Sequence, residues 1–82
     1  MRFMVTFTPK PDSGDAIRQL LAAEQQRVKE LQQAGVVEDL YISRPGRAWL
    51  VLVASSATEA ERAVASLPLH PYVDTLIEPL IT

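Results

Sequence analysis

The stretch from Asp15 to about Ala34 constrains the fold most, because its apolar residues recur at helical spacing. At about 3.6 residues per turn, Ile17, Leu20, Leu21, Val28 and Leu31 fall on one narrow stripe, the face that must lie on a core. Glu24 interrupts that stripe. A carboxylate flanked one turn away by Leu20, Leu21 and Val28 loses water when the helix docks, so its charged form is disfavoured unless a partner is supplied. Such a group is poised to move a proton. The alternative is a glutamate near an exposed edge that snorkels to water or is held by an arginine.

The segments around this helix alternate as strands do. Residues 2 to 8 place Phe3, Val5 and Phe7 on one face and Met4, Thr6 and Thr8 on the other, and the strand ends at Pro9. Pro9 to Asp15 is a loop in which Asp12, Ser13 or Asp15 can cap the helix, and Gly35 closes it. Val36 to Ser43 is expected as a second strand, Arg44-Pro45-Gly46-Arg47 as a turn, and Ala48 to Ala54 as a third strand in a hairpin with the second. Leu50 and Leu52 alternate with Trp49, Val51 and Val53, so this strand is apolar on both faces and both need cover.

Ser56-Ala57-Thr58-Glu59 is a capping-box signature, and the helix it opens carries Ala57, Ala60, Val64 and Leu67 as an inner stripe until Pro68 stops it. A last strand is expected from Tyr72 to about Ile77, and Pro79 places its end on a sheet edge. The order βαββαβ is that of an α+β, ferredoxin-like domain: a four-stranded antiparallel sheet with two helices on one face. Residues 1–82 form one such domain, with no repeat or linker. Its uncovered sheet face predicts a homodimer, or a larger homo-oligomer built from one.

Composition removes several function classes. A net charge of −2 and a pI near 5.2 argue against a nucleic-acid footprint. The absence of cysteine rules out disulfides and thiolate metal sites, and one histidine argues against a zinc centre. Met1 to Thr8 lacks a signal peptide's apolar run, and no segment approaches the ~20 apolar residues of a membrane span, so a cytoplasmic protein without membrane contact is expected. There is no glycine-rich phosphate loop, nucleophile elbow or metal-ligand spacing, and no cofactor is expected.

The remaining candidates are few. Tyr41 is on the second strand, Arg44 and Arg47 flank the turn after it, and Trp49 is on the third strand. His70 and Tyr72 follow the second helix in a segment stiffened by Pro68 and Pro71, which helps a pocket wall. Each has a structural alternative: a hydrogen-bonded loop histidine, packed tyrosines, solvated arginines. Lys10, between two prolines, reads as a solvated loop charge. Taken as a site, the set suits proton transfer on a small organic acid or polyketide-like substrate. Glu24 is then the base, a tyrosine or histidine holds an enolate oxygen, and an arginine pairs a substrate carboxylate.

These residues resemble a known family. Leu67-Pro68-Leu69-His70-Pro71-Tyr72-Val73-Asp74, followed by Glu78-Pro79-Leu80, is similar to the "LPLxPY…xPL" ending of muconolactone delta-isomerases and their relatives. Glu24 and Lys29 to Gly35, continuing to Leu40-Tyr41, resemble that family's helix-and-strand segment, and Arg2-Phe3-Met4-Val5 its first strand. The resemblance spans nearly the whole chain, apart from a shorter loop after the first strand. It implies dimers that pair their sheets into an α+β barrel, in the isomerases a decamer built from such dimers, and a cofactor-free double-bond shift in an unsaturated lactone of aromatic catabolism. It also implies that Glu24 is the base, that Tyr41 matches an aromatic strand position, and that Tyr72 matches the family tyrosine. Three positions depart from it: Met4 stands where the isomerases carry histidine, Ile42 where they carry arginine, and His70 where they carry phenylalanine. Glu24, His70 and Tyr41 are therefore the expected catalytic residues, with Tyr72, Arg44, Arg47 and Trp49 as expected substrate contacts. Two other classes fit the same fold: a small-molecule-binding barrel protein without catalysis, and a cofactor-independent oxygenase.

Overall fold

The computed structural model describes residues 1–44 and 46–81. Strand β1 (Arg2–Pro9) is followed by helix α1 (Gly14–Gln33), strands β2 (Val37–Ile42) and β3 (Ala48–Val53), helix α2 (Ala57–Ala65) and strand β4 (Val73–Pro79). The four strands form one antiparallel sheet in the order β2-β3-β1-β4, the ferredoxin-like arrangement expected from the element order. Among the described residues, no helix is long and apolar enough to cross a membrane.

The core lies between the sheet and the helices. Phe3 and Val5 of β1 pair with Leu52 and Leu50 of β3, and these four are almost completely buried. Val28 and Leu31 of α1 and Ala60 and Val64 of α2 complete that core with Val37, Leu67 and Val73. Only the C-terminal half of the α1 stripe belongs to it. Ile17 is half-buried against that core, Leu20 is half-buried and Leu21 is 45% exposed, so the N-terminal half closes on the sheet only in part. In α2, Ala57 is exposed, a departure from the expected inner stripe, which begins instead at Ala60.

Helix ends follow local chemistry. Helix α1 closes in a Schellman motif, with Val36 N–H donating to Leu31 O at 2.9 Å and Gly35 N–H to Gln32 O at 3.1 Å. Gly35 sits at φ 77°, which glycine adopts without steric cost. At the start of α1, Ser13 occupies the cap position, but its hydroxyl donates to Lys10 O at 2.6 Å and caps no helical N–H. Ser56 does cap α2, accepting from Glu59 N–H at 3.1 Å. The Glu59 carboxylate turns to Ser55, whose hydroxyl and backbone N–H hold its pKa below the usual value.

One expectation is corrected at a strand end. Tyr72 lies outside β4, in a short 3₁₀ turn (His70–Tyr72) where its N–H donates to Leu69 O at 2.8 Å, while its carbonyl accepts from Lys10 N–H at 3.0 Å. Pro45, the proline of the expected hairpin turn, lies outside the described residues. On either side of it, Gly46 N–H donates to Ser43 O and Ser43 N–H to Arg47 O, both at 2.9 Å. β4 is an edge strand, as Pro79 required.

A register shift in β2 decides which of its side chains face the helices. Val37 pairs with Leu52, but Asp39 pairs with Val51 and Leu40 with Leu50, so Glu38 is an extra, bulged residue. Strict alternation from Val37 would turn Asp39 and Tyr41 toward α1. The bulge reverses this: Leu40 and Ile42 face the helix, and Tyr41 faces the open side opposite Trp49. Arg2 holds Glu38 through two charge-assisted bonds, Nε to Oε2 at 2.9 Å and Nη2 to Oε1 at 2.7 Å, and so ties the bulge to the end of β1.

Candidate functional site

Where the N-terminal half of α1 stands off the sheet, a cavity of about 580 Å³ opens. The sheet row beneath it, Phe7–Ala48–Ile42, carries a small residue at its centre, too short to fill the gap below Ile17 and Leu21. Leu40 and Leu50 continue the floor toward the core, and Leu67, Leu69 and His70 form the wall on the α2 side. The lining is therefore mostly apolar with a few polar groups, the composition of a small-molecule site.

Glu24 projects into this cavity from α1 and is half-buried. Its Oε1 accepts the Leu69 backbone N–H at 3.0 Å. Among the described residues, no protein partner is found for Oε2, which is left for a ligand or water. Desolvation raises the Glu24 pKa above its usual value, and the Leu69 N–H offsets part of that rise by favouring the carboxylate. The result is a carboxylate made more basic by an apolar wall and fixed in direction by one backbone bond, the pairing that a general base requires.

His70 reaches the same cavity, so residues 46 positions apart in sequence meet in one site. Its backbone is held by the turn that opens with His70 N–H donating to Leu67 O at 3.0 Å. The other expected site residues are placed elsewhere. Tyr41 and Trp49 are cross-strand neighbours on the opposite face, a consequence of the β2 bulge, and the Arg47 guanidinium stacks 5.3 Å from the centre of the Trp49 ring. Arg44 is exposed in the hairpin and Tyr72 is half-buried in the 3₁₀ turn; neither lines the cavity of its own chain.

The sequence reading passed over Lys10 and Arg18 as site residues, and these are the cations that line the cavity. Arg18 is bonded to Asp15 on the same helix, whereas no acid pairs with Lys10 among the described residues. The placement of Lys10 between two prolines was its only advance signal. Of the three departures from the resembled pattern, Met4 lies on the open face beside Val51 and Glu78, while Ile42 and His70 are cavity walls.

Comparison with known proteins adds three findings. A family model described as muconolactone delta-isomerase matches residues 1–82. A solved structure of muconolactone isomerase superposes with a TM-score of 0.82 at 27% identity, covering 100% of this chain and 90% of that one. The 5-chloro-2-hydroxyhydroquinone dehydrochlorinase of Burkholderia phenoliruptrix, solved with 2,5-dihydroxybenzoquinone, shares the fold with a TM-score of 0.84 at 16% identity, covering 98% of this chain and 93% of that one. No curated protein matches the sequence. With the family model matching from the first strand to the last and the glutamate-bearing helix in place, the chain belongs to the muconolactone delta-isomerase family.

Proposed function

We propose that this protein is a cofactor-free isomerase that shifts a double bond in a small unsaturated lactone or related organic acid by proton transfer. The observation that carries the reading is Glu24: a carboxylate of raised pKa on the mostly apolar wall of the cavity, oriented by the Leu69 N–H with one oxygen left for a substrate. Family membership supports a small-molecule-processing enzyme of this fold.

In an α,β-unsaturated lactone the γ-hydrogen is acidic because its removal gives a dienolate. Glu24 takes that proton, the charge passes to the carbonyl oxygen, and Glu24, whose carboxyl proton exchanges with water, returns a proton at the α-carbon, leaving the double bond one position along. No atom is gained or lost. His70, on the wall next to Leu69, supplies an N–H to the developing oxyanion. The raised pKa of Glu24 narrows its gap to the carbon acid, and the apolar lining keeps water from protonating the dienolate at the wrong carbon.

The working form is a homodimer joined through the open face of the sheet. That face carries Met4, Trp49 and Val51, half-buried in one chain, with Tyr41 and Leu76 exposed at 58% and 56%. A contiguous apolar surface on one side of a sheet is the feature that a second copy covers. Tyr41, Trp49 and Arg47 then serve this interface rather than the cavity of their own chain.

The exposed apolar residues at the cavity rim give one alternative a footing, a binding protein without catalysis. Turnover separates the two. Muconolactone and simple γ-substituted butenolides, assayed with and without oxygen, should be isomerised at the same rate in both conditions. Binding without product would favour the alternative, and oxygen consumption would replace isomerisation with oxygenase chemistry.

A further inference from the structure

The walls of the cavity say more about the substrate than that it carries an acidic carbon. A lactone of about ten non-hydrogen atoms, allowed even the ~30 Å³ that one water molecule occupies in the liquid, takes up no more than about 300 Å³. The cavity measures about 580 Å³. Roughly half of it is left over once such a ring sits at Glu24.

On the β2 side the lining is apolar. Ile17 and Leu21 of α1 face Leu40 and Ile42 of β2 across the opening, with Ala48 below them. Leu21, Leu40 and Ile42 are 45%, 38% and 71% exposed, three large hydrophobic side chains around one mouth. Lys10 and Arg18, the lining cations, belong to the loop after β1 and to the first turns of α1, and Arg18 is occupied by Asp15. The β2 wall therefore offers no charge to a polar substituent and a hydrophobic track to an apolar one.

Building on the reading of Glu24 as base, the geometry points to a substrate class: an unsaturated lactone or enol-forming ring that bears an apolar substituent of several carbons. The ring lies at Glu24 and the substituent runs along Leu21, Leu40 and Ile42. Ile42 is the specificity residue of this track. Its side chain is largely exposed in the unliganded protein, so it gains the most contact when a substituent covers it.

The test is a binding series read by calorimetry on the intact protein, with γ-methyl, γ-propyl and γ-pentyl butenolides and with muconolactone as the carboxymethyl member. Each added methylene should tighten binding about two- to fourfold, with γ-pentyl butenolide bound at least tenfold more tightly than γ-methyl butenolide. Ile42→Asn, a change at an exposed position that leaves the core untouched, should cut the gain per methylene to less than half. A flat series, or a series unchanged in Ile42→Asn, would overturn the proposal. Binding is read separately from chemistry, so the two inferences fail separately. Muconolactone turnover that needs Glu24, together with a flat series, would sink only the substrate class. A steep, Ile42-dependent series without proton exchange would sink only the catalytic reading.

Discussion

At the residue scale, the account rests on the environment of Glu24. Burial raises its pKa, so the folded protein retains a proton at pH values where the unfolded chain has released it. The native state binds more protons in that window, and stability falls as pH rises from the ordinary carboxylate value of 4.5 through the raised one. Glu24→Gln keeps an oxygen for the Leu69 N–H and removes the titration. Urea denaturation between pH 4 and 8 should therefore show the variant gaining on wild type as pH rises, and a constant difference would contradict a raised pKa. The acid limb of kcat/KM should lie above 4.5 for the same reason. Tyr41→Phe, a change on the opposite sheet face, should leave kcat within about threefold of wild type, well short of the ~10²-fold loss expected of a catalytic acid or base.

At the element scale, a single inserted residue sets the composition of the site. The intruding glutamate was legible in the sequence because helical periodicity is long enough in α1 to make one exception conspicuous. Tyr41 was not, because a β2 read as strictly alternating gives no sign that Glu38 is bulged. Only the pairing with β3 and the clamp from Arg2 reveal it. Deleting Glu38 should remove the bulge and leave the register beyond it unchanged, because alternation from Val37 then keeps Leu40 and Ile42 toward the cavity and Tyr41 on the open face. The deletion variant should keep its far-UV circular dichroism and its affinity for γ-pentyl butenolide. Lost affinity with the sheet intact would show that Leu40 and Ile42 do not form the wall through this register. The end of α1 gives an independent check. Among the described residues, no atom lies within 4 Å of where a Cβ at Gly35 would stand, so Gly35→Ala should cost only the left-handed backbone conformation, about 1–2 kcal/mol in chemical denaturation.

At the scale of the whole molecule, the order βαββαβ was readable from alternation, one capping box and a few prolines, and each of those signals acts locally. The cavity was not readable, because it arises where an apolar stripe fails to close on a sheet row with Ala48 at its centre, and the sequence of α1 alone cannot distinguish a core-facing half from a cavity-facing half. The open sheet face predicts association: sedimentation equilibrium should give at least a dimer, and Leu76→Glu, on that face and 56% exposed, should shift it toward monomer without unfolding. Proton transfer by the assembled protein is the central claim, and hydrogen exchange tests it most directly. Wild type and Glu24→Gln are incubated in deuterium oxide with muconolactone and γ-alkyl butenolides, and deuterium is followed at the α- and γ-carbons. The account predicts exchange and isomerisation by wild type and a loss of about 10²- to 10⁴-fold in Glu24→Gln; exchange at the wild-type rate in the variant, or none in either protein, would contradict it.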